Sequence, residues 1–101
     1  MATLIDATTD EAVNYVNDNL KRLGNVTSVI HRRNSNNIEY ETIIDGEYKT
    51  LRIHSGFSSG YGGTGPRAFE KVLVELGFDK DEVSELVILN SENTFEFELK
   101  K

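Results

Sequence analysis

With 101 residues, 38% of them hydrophobic and a single proline, the chain has the size of one domain and enough apolar side chains for one core, which excludes a disordered or linker-like composition. The absence of cysteine excludes a disulfide framework and thiolate chemistry, and the two histidines stand in unrelated contexts without zinc-site spacing, so no metal and no cofactor is expected. A net charge of −6 opposes general binding to nucleic acid or anionic lipid.

Residues 1–10 carry acids where a targeting leader would carry bases, and no stretch approaches the roughly 20 apolar residues of a membrane span. A cytosolic protein is expected. Thr8-Thr9-Asp10-Glu11 fits a capping box, followed by Val13, Val16, Leu20 and Leu23 at helical spacing and by Gly24, placed to close a first helix in the left-handed conformation. Val26 to Arg33 and Ile38 to Ile44 are rich in β-branched residues and flank the turn-forming Asn34-Ser35-Asn36-Asn37, which predicts a hairpin. Either Ile30 or His31 can face the core.

Asp45-Gly46 predicts a two-residue type I′ turn into a third strand, Glu47 to His54. That register pairs Thr42 with Lys49, Tyr40 with Leu51 and Ile38 with Ile53 on the core side, and Glu39 with Arg52 on the other, where His54 lies beside Asn37. Pro66 suits the first position of a second helix, whose stripe is Phe69, Val72, Leu73 and Leu76 and whose end is Gly77. Leu86 to Leu89 and the alternating Thr94 to Leu99 predict a final hairpin. The fold class expected is α+β: one domain over residues 1–101 in the order αβββαββ, an antiparallel sheet of a three-strand meander plus a C-terminal hairpin, packed with two helices.

Residues 55–65, between the third strand and the second helix, hold five glycines, three serines and one threonine. Ordering so many glycines costs backbone entropy, so such a loop is left mobile or approaches something closely, and its length exceeds the usual connection. The following helix offers free amides and a positive dipole end, and Arg67 in its first turn gains nothing from that dipole. A bound anion satisfies both. Gly60-Tyr-Gly-Gly-Thr-Gly65 matches the dinucleotide fingerprint, yet a strand tied into an antiparallel meander lacks the parallel βαβ context, and the phosphate-loop lysine is missing.

Charge is segregated too: Asn19 to Ile38 and Tyr48 to Phe69 contain no acid, whereas Glu70 onward carries nine acids against four lysines. Three readings follow. The first is non-catalytic binding of an anionic small molecule, plausibly a nucleotide or nucleotide-derived signal, as in a phage-borne antagonist of host defence. The residues expected to bind it are Arg52, His54, Ser58, Ser59, Tyr61, Gly62, Gly63, Thr64, Gly65 and Arg67, with a homo-oligomer enclosing the ligand. The second is an acidic inhibitor or adaptor, DNA-mimicking in type, that meets a basic protein surface through Glu70 to Glu98. The third is a small hydrolase using His54, for which residues 48–69 offer no orienting acid. Direct binding of nucleic acid lacks a recognisable motif.

Overall fold

Thr8 opens the first helix, α1 (Thr9–Leu23), by the reciprocal bonds its sequence announces: its hydroxyl accepts the Glu11 amide and its amide donates to the Glu11 carboxylate. In this computed structural model, which describes residues 2–101, α1 is preceded by a strand that the sequence pattern does not announce, β1 (Ala2–Ala7). Then follow β2 (Val26–Asn34), β3 (Glu39–Gly46), β4 (Thr50–Ser55), α2 (Thr64–Glu75), α3 (Lys80–Ser84), which continues into a π-helical turn (Glu85–Leu89), and β5 (Thr94–Lys100).

The strands form one sheet in the order β1-β4-β3-β2-β5. β1 runs parallel to β4, and the other neighbours are antiparallel, so the sheet is mixed and not antiparallel throughout. The expected C-terminal hairpin does not form, because Leu86 to Leu89 is helical. An apolar run this short does not distinguish strand from buried helix. Asp79, which accepts the Glu82 amide, starts a helix that carries Val83 and Val87 into the core. β5 pairs with β2 instead.

The β3–β4 register also differs. Thr42 lies opposite Ile53 and Ile44 opposite Leu51, four residues from the expected pairing. The shift is even, so the expected core face is preserved: Thr42, Ile44, Leu51 and Ile53 are buried. Residues 46–49 form a longer turn docked on the end of α1, where the Glu47 and Tyr48 amides donate to the Asn25 and Leu23 carbonyls. Gly46 does not use a positive φ here. Its role is close approach, since a Cβ on it would lie 2.3 Å from the Leu23 oxygen. Gly46→Ala is therefore expected to destabilise the fold by about 2 kcal/mol, measured by urea unfolding.

α1 buries a face slightly rotated from the one expected, whereas α2 buries the expected stripe. α1 buries Ala12, Val16, Asn19 and Leu23 and leaves Leu20 exposed. Asn19 is tolerated because its amide nitrogen donates to the Tyr15 carbonyl and its oxygen accepts from Lys49. Gly24 closes α1 at φ 71° and ψ −147°, more extended than a left-handed helical cap. α2 begins at Thr64, so Pro66 stands at its third position, and buries Pro66, Phe69, Val72 and Leu73.

One face of the sheet, with Val29, Ile44, Leu51, Ile53, Phe97 and Leu99, packs under the helices as a single core. The other face carries no helix. No helix among the described residues is long and apolar enough to cross a membrane.

Candidate functional site

The glycine-rich loop divides into an anchored half and an open half. In the anchored half, Ser55 at φ 66° and Gly56 at φ 79° turn the chain off β4. The Gly56 carbonyl accepts from Thr9, Phe57 is fully buried and stacks on Phe69 with ring centroids 4.9 Å apart, and the Gly60 amide donates to the Val87 carbonyl. Gly60 has φ 93°, and a Cβ there would lie 2.9 Å from Arg33 Nη1. Close approach requires glycine at this point.

Ser59 belongs to this anchored half and is buried. Its hydroxyl lies 2.8 Å from His31 Nε2 and accepts from Arg33 Nη1 at 3.0 Å, while His31 Nδ1 lies 2.8 Å from the Thr42 hydroxyl. Burial, with the Arg33 charge second, pushes His31 down to about 3, so the imidazole is neutral at physiological pH. Phe69 and Phe97 enclose its ring at 4.7 and 5.4 Å between centroids. In the first hairpin the inward residue is thus His31 and not Ile30. The serine and histidine that meet are sealed in the core, where each satisfies the other's polar group.

Arg33, also buried, extends the same network. Its guanidinium donates to the Ser59 hydroxyl, to Asn90 Oδ1 at 2.8 Å and to the Glu92 carbonyl, and it covers the Phe95 ring at 5.2 Å. No carboxylate lies within ion-pair distance among the described residues. Desolvation lowers its pKa. It ties β2 to both the glycine loop and residues 90–92.

The open half faces solvent. Tyr61 is 51% exposed, and its hydroxyl lies 2.9 Å from Ser58 Oγ. A Cβ on Gly63 would strike the Tyr61 ring at 2.5 Å and one on Gly65 would strike Ser58 Oγ at 2.2 Å, so these glycines let both hydroxyl residues lie across the first turn of α2. Gly63 is the N-cap and supplies no side-chain bond, and no acid stands in that turn. By contrast α1 and α3 each have a side-chain cap and two acids in the first turn. The Thr64 and Gly65 amides have no acceptor within the helix. A Cβ on Gly62 would lie 3.7 Å from Arg67 Nη2, so the Arg67 guanidinium folds back toward this same helix end.

Arg52 and His54 lie elsewhere. Leu51 and Ile53 point into the core, so the alternating Arg52 and His54 point to the helix-free face. There Glu41 is the hub, with Arg32 Nη1 at 3.0 Å, His54 Nε2 at 3.2 Å and Arg52 Nε at 3.7 Å, and Arg32 Nε also reaches Glu96 at 3.0 Å. Arg52 therefore meets Glu41 and not Glu39, a consequence of the shifted register. Its Nε is buried and has no hydrogen-bond partner.

Thus Ser58, Tyr61, Gly62, Gly63, Thr64, Gly65 and Arg67 come together at the start of α2, Ser59 supports them from the core, and Arg52 and His54 stand on the opposite face. The acids after Glu70 are also split, since Asp79, Asp81 and Glu82 begin α3 whereas Glu96 and Glu98 lie on the helix-free face. No group of acids and histidines suited to a metal ion occurs among the described residues. Compared with protein families, curated proteins and solved structures, the chain matches none.

Proposed function

We propose that the chain is a non-catalytic binding protein for an anionic small molecule, held at the start of α2. The observation that carries this reading is the position of Arg67. A cation with no ion-pair partner among the described residues folds back to an uncapped, acid-free helix N-terminus, where an anion between them would neutralise the guanidinium and accept from the free amides together.

The hydroxyls of Ser58 and Tyr61 add donors, and the exposed Tyr61 ring offers a stacking surface, which makes a nucleotide the favoured ligand class. The site is open on its outer side, and a second copy of the chain would supply the missing wall. Sequestration of a nucleotide signal, the design expected of a phage-borne antagonist of host defence, is the role such a site fits. Catalysis by His54 has less support, because its carboxylate neighbour Glu41 is shared with Arg32 and Arg52.

Thermal unfolding against nucleotides, cyclic nucleotides, ADP-ribose derivatives, phosphate and sulfate tests the reading. At a ligand concentration of about 100 Kd, linkage adds roughly 2.7 kcal/mol, a rise of roughly 10 °C for a domain of this size. Arg67→Ala should abolish that rise while leaving the unliganded midpoint within about 1 °C. A panel with no shift would overturn the proposal.

A further inference from the structure

The helix-free face carries a cleft of about 800 Å³ at the end of the sheet where β1, β4 and β2 terminate, and none of Ser58, Tyr61 and Arg67 lines it. Two of its apolar lining residues are unusual. Ile5 is 67% exposed at the end of β1, and Ile38 is 77% exposed at the tip of the β2–β3 hairpin. Ile38 has φ 54°, a left-handed conformation in which a β-branched side chain is strained, and its exposure offsets none of that strain. The other non-glycine residues with positive φ among those described, Asp6 and Ser55, line the same cleft. Strain gathered around one concavity and not offset by burial is a mark of a binding surface.

Two features define the occupant. β1 is an edge strand whose only charge is Asp6, whereas the opposite edge, β5, is guarded on its outward face by Glu96, Glu98 and Lys100. An edge of this kind leaves backbone groups free to meet a partner's backbone at the mouth of the cleft. The cleft's arginines are already occupied, Arg32 by Glu41 and Glu96 and Arg33 by the core network, while Asp6 and Glu39 have no ion pair among the described residues. The charge left unmatched is negative.

We propose that this cleft binds an extended basic segment of a partner protein, which enters past the free edge of β1 and crosses the end of the sheet toward the β2–β3 turn. Its apolar side chains lie against Ile5 and Ile38 and its basic side chains face Asp6 and Glu39. A second copy of this chain fits the cleft less well, since each copy carries a net charge of −6 and would bring the same unmatched acids to the contact.

The probe is an end-blocked, fluorescein-labelled peptide of alternating lysine and valine, titrated with the full chain and followed by anisotropy, with an alternating glutamate and valine peptide as control. Saturable binding of the lysine peptide alone is expected. Ile38→Asn and the double variant Asp6→Asn, Glu39→Gln should each weaken it at least about tenfold, and Arg67→Ala should leave it unchanged. Ile38→Asn relieves backbone strain and should melt no lower than the parent, so a loss of binding there is not a loss of folding. Absence of saturation at millimolar chain, equal binding of the glutamate peptide, or a dimer in sedimentation equilibrium that Ile38→Asn dissociates would each overturn the proposal.

Discussion

Acidification from pH 6.5 to 4.5 is expected to remove roughly 2 kcal/mol of stability through His31 alone. In the unfolded chain this imidazole takes a proton near 6.5, whereas in the folded protein burial and the Arg33 charge delay protonation to about 3. Between those values the unfolded state binds more protons than the folded one. Stability therefore falls as pH falls through that window, by up to about 1.4 kcal/mol per pH unit, and the contribution is flat above it. Glu11 acts with the same sign, because the Thr8 amide and hydroxyl hold its carboxylate below the ordinary value, but it is solvent-exposed and its effect small. Urea unfolding between pH 7 and 4.5 should show a steeper decline in the parent than in His31→Gln, which keeps a neutral hydrogen-bonding side chain that does not titrate. Parallel declines would contradict the buried neutral imidazole.

Arg33→Met is expected to cost about 3 kcal/mol, a large share of the roughly 5 to 15 kcal/mol that stabilises a domain. The variant removes a buried cation along with its desolvation penalty, but it takes the guanidinium from the Glu92 carbonyl, leaves the Asn90 oxygen with the Glu92 amide alone and takes one partner from Ser59. The second consequence is local. The turn at Gly60 packs on this guanidinium, so amide hydrogen exchange at Gly60 should accelerate more than at core positions such as Ile44. A uniform acceleration would mean that Arg33 supports only global stability.

Features encoded by neighbouring residues were legible in the sequence, and those decided by distant packing were not. The Thr8 capping box is complete within four residues, and α1 begins where it says. Alternation along β3 and β4 identified the core face, but the register depended on residues 46–49 docking against the end of α1, which the local preference of Asp45-Gly46 does not contain. β1 is a short run whose strand character comes from pairing with β4. Asp79 and Glu82 held the missing signal for α3, an acidic cap three residues before a glutamate, overlooked beside the apolar Leu86 to Leu89.

The same division applies to the site. The glycine loop and Arg67 were visible as a local pattern, and the structure gathers them at one helix end. Arg52 and His54 were joined to them by proximity in sequence, although strand alternation turns both to the other face. The inward turn of His31 was left open and that of Arg33 was not expected, because polar and charged residues are ordinarily placed outward on a strand. Their burial is intelligible only with Ser59, Thr42, Asn90 and Glu92, which come from other parts of the chain, in place to satisfy them.

The most direct test of the anion site is an amide proton–nitrogen NMR titration with AMP. Saturable shifts are expected at Gly62, Gly63, Thr64, Gly65 and Arg67, lost in Arg67→Ala, with the cleft residues Asp6 and Glu39 unmoved. Shifts confined to the cleft, or no saturable shift at the start of α2 with AMP or with inorganic phosphate, would contradict an anion site there.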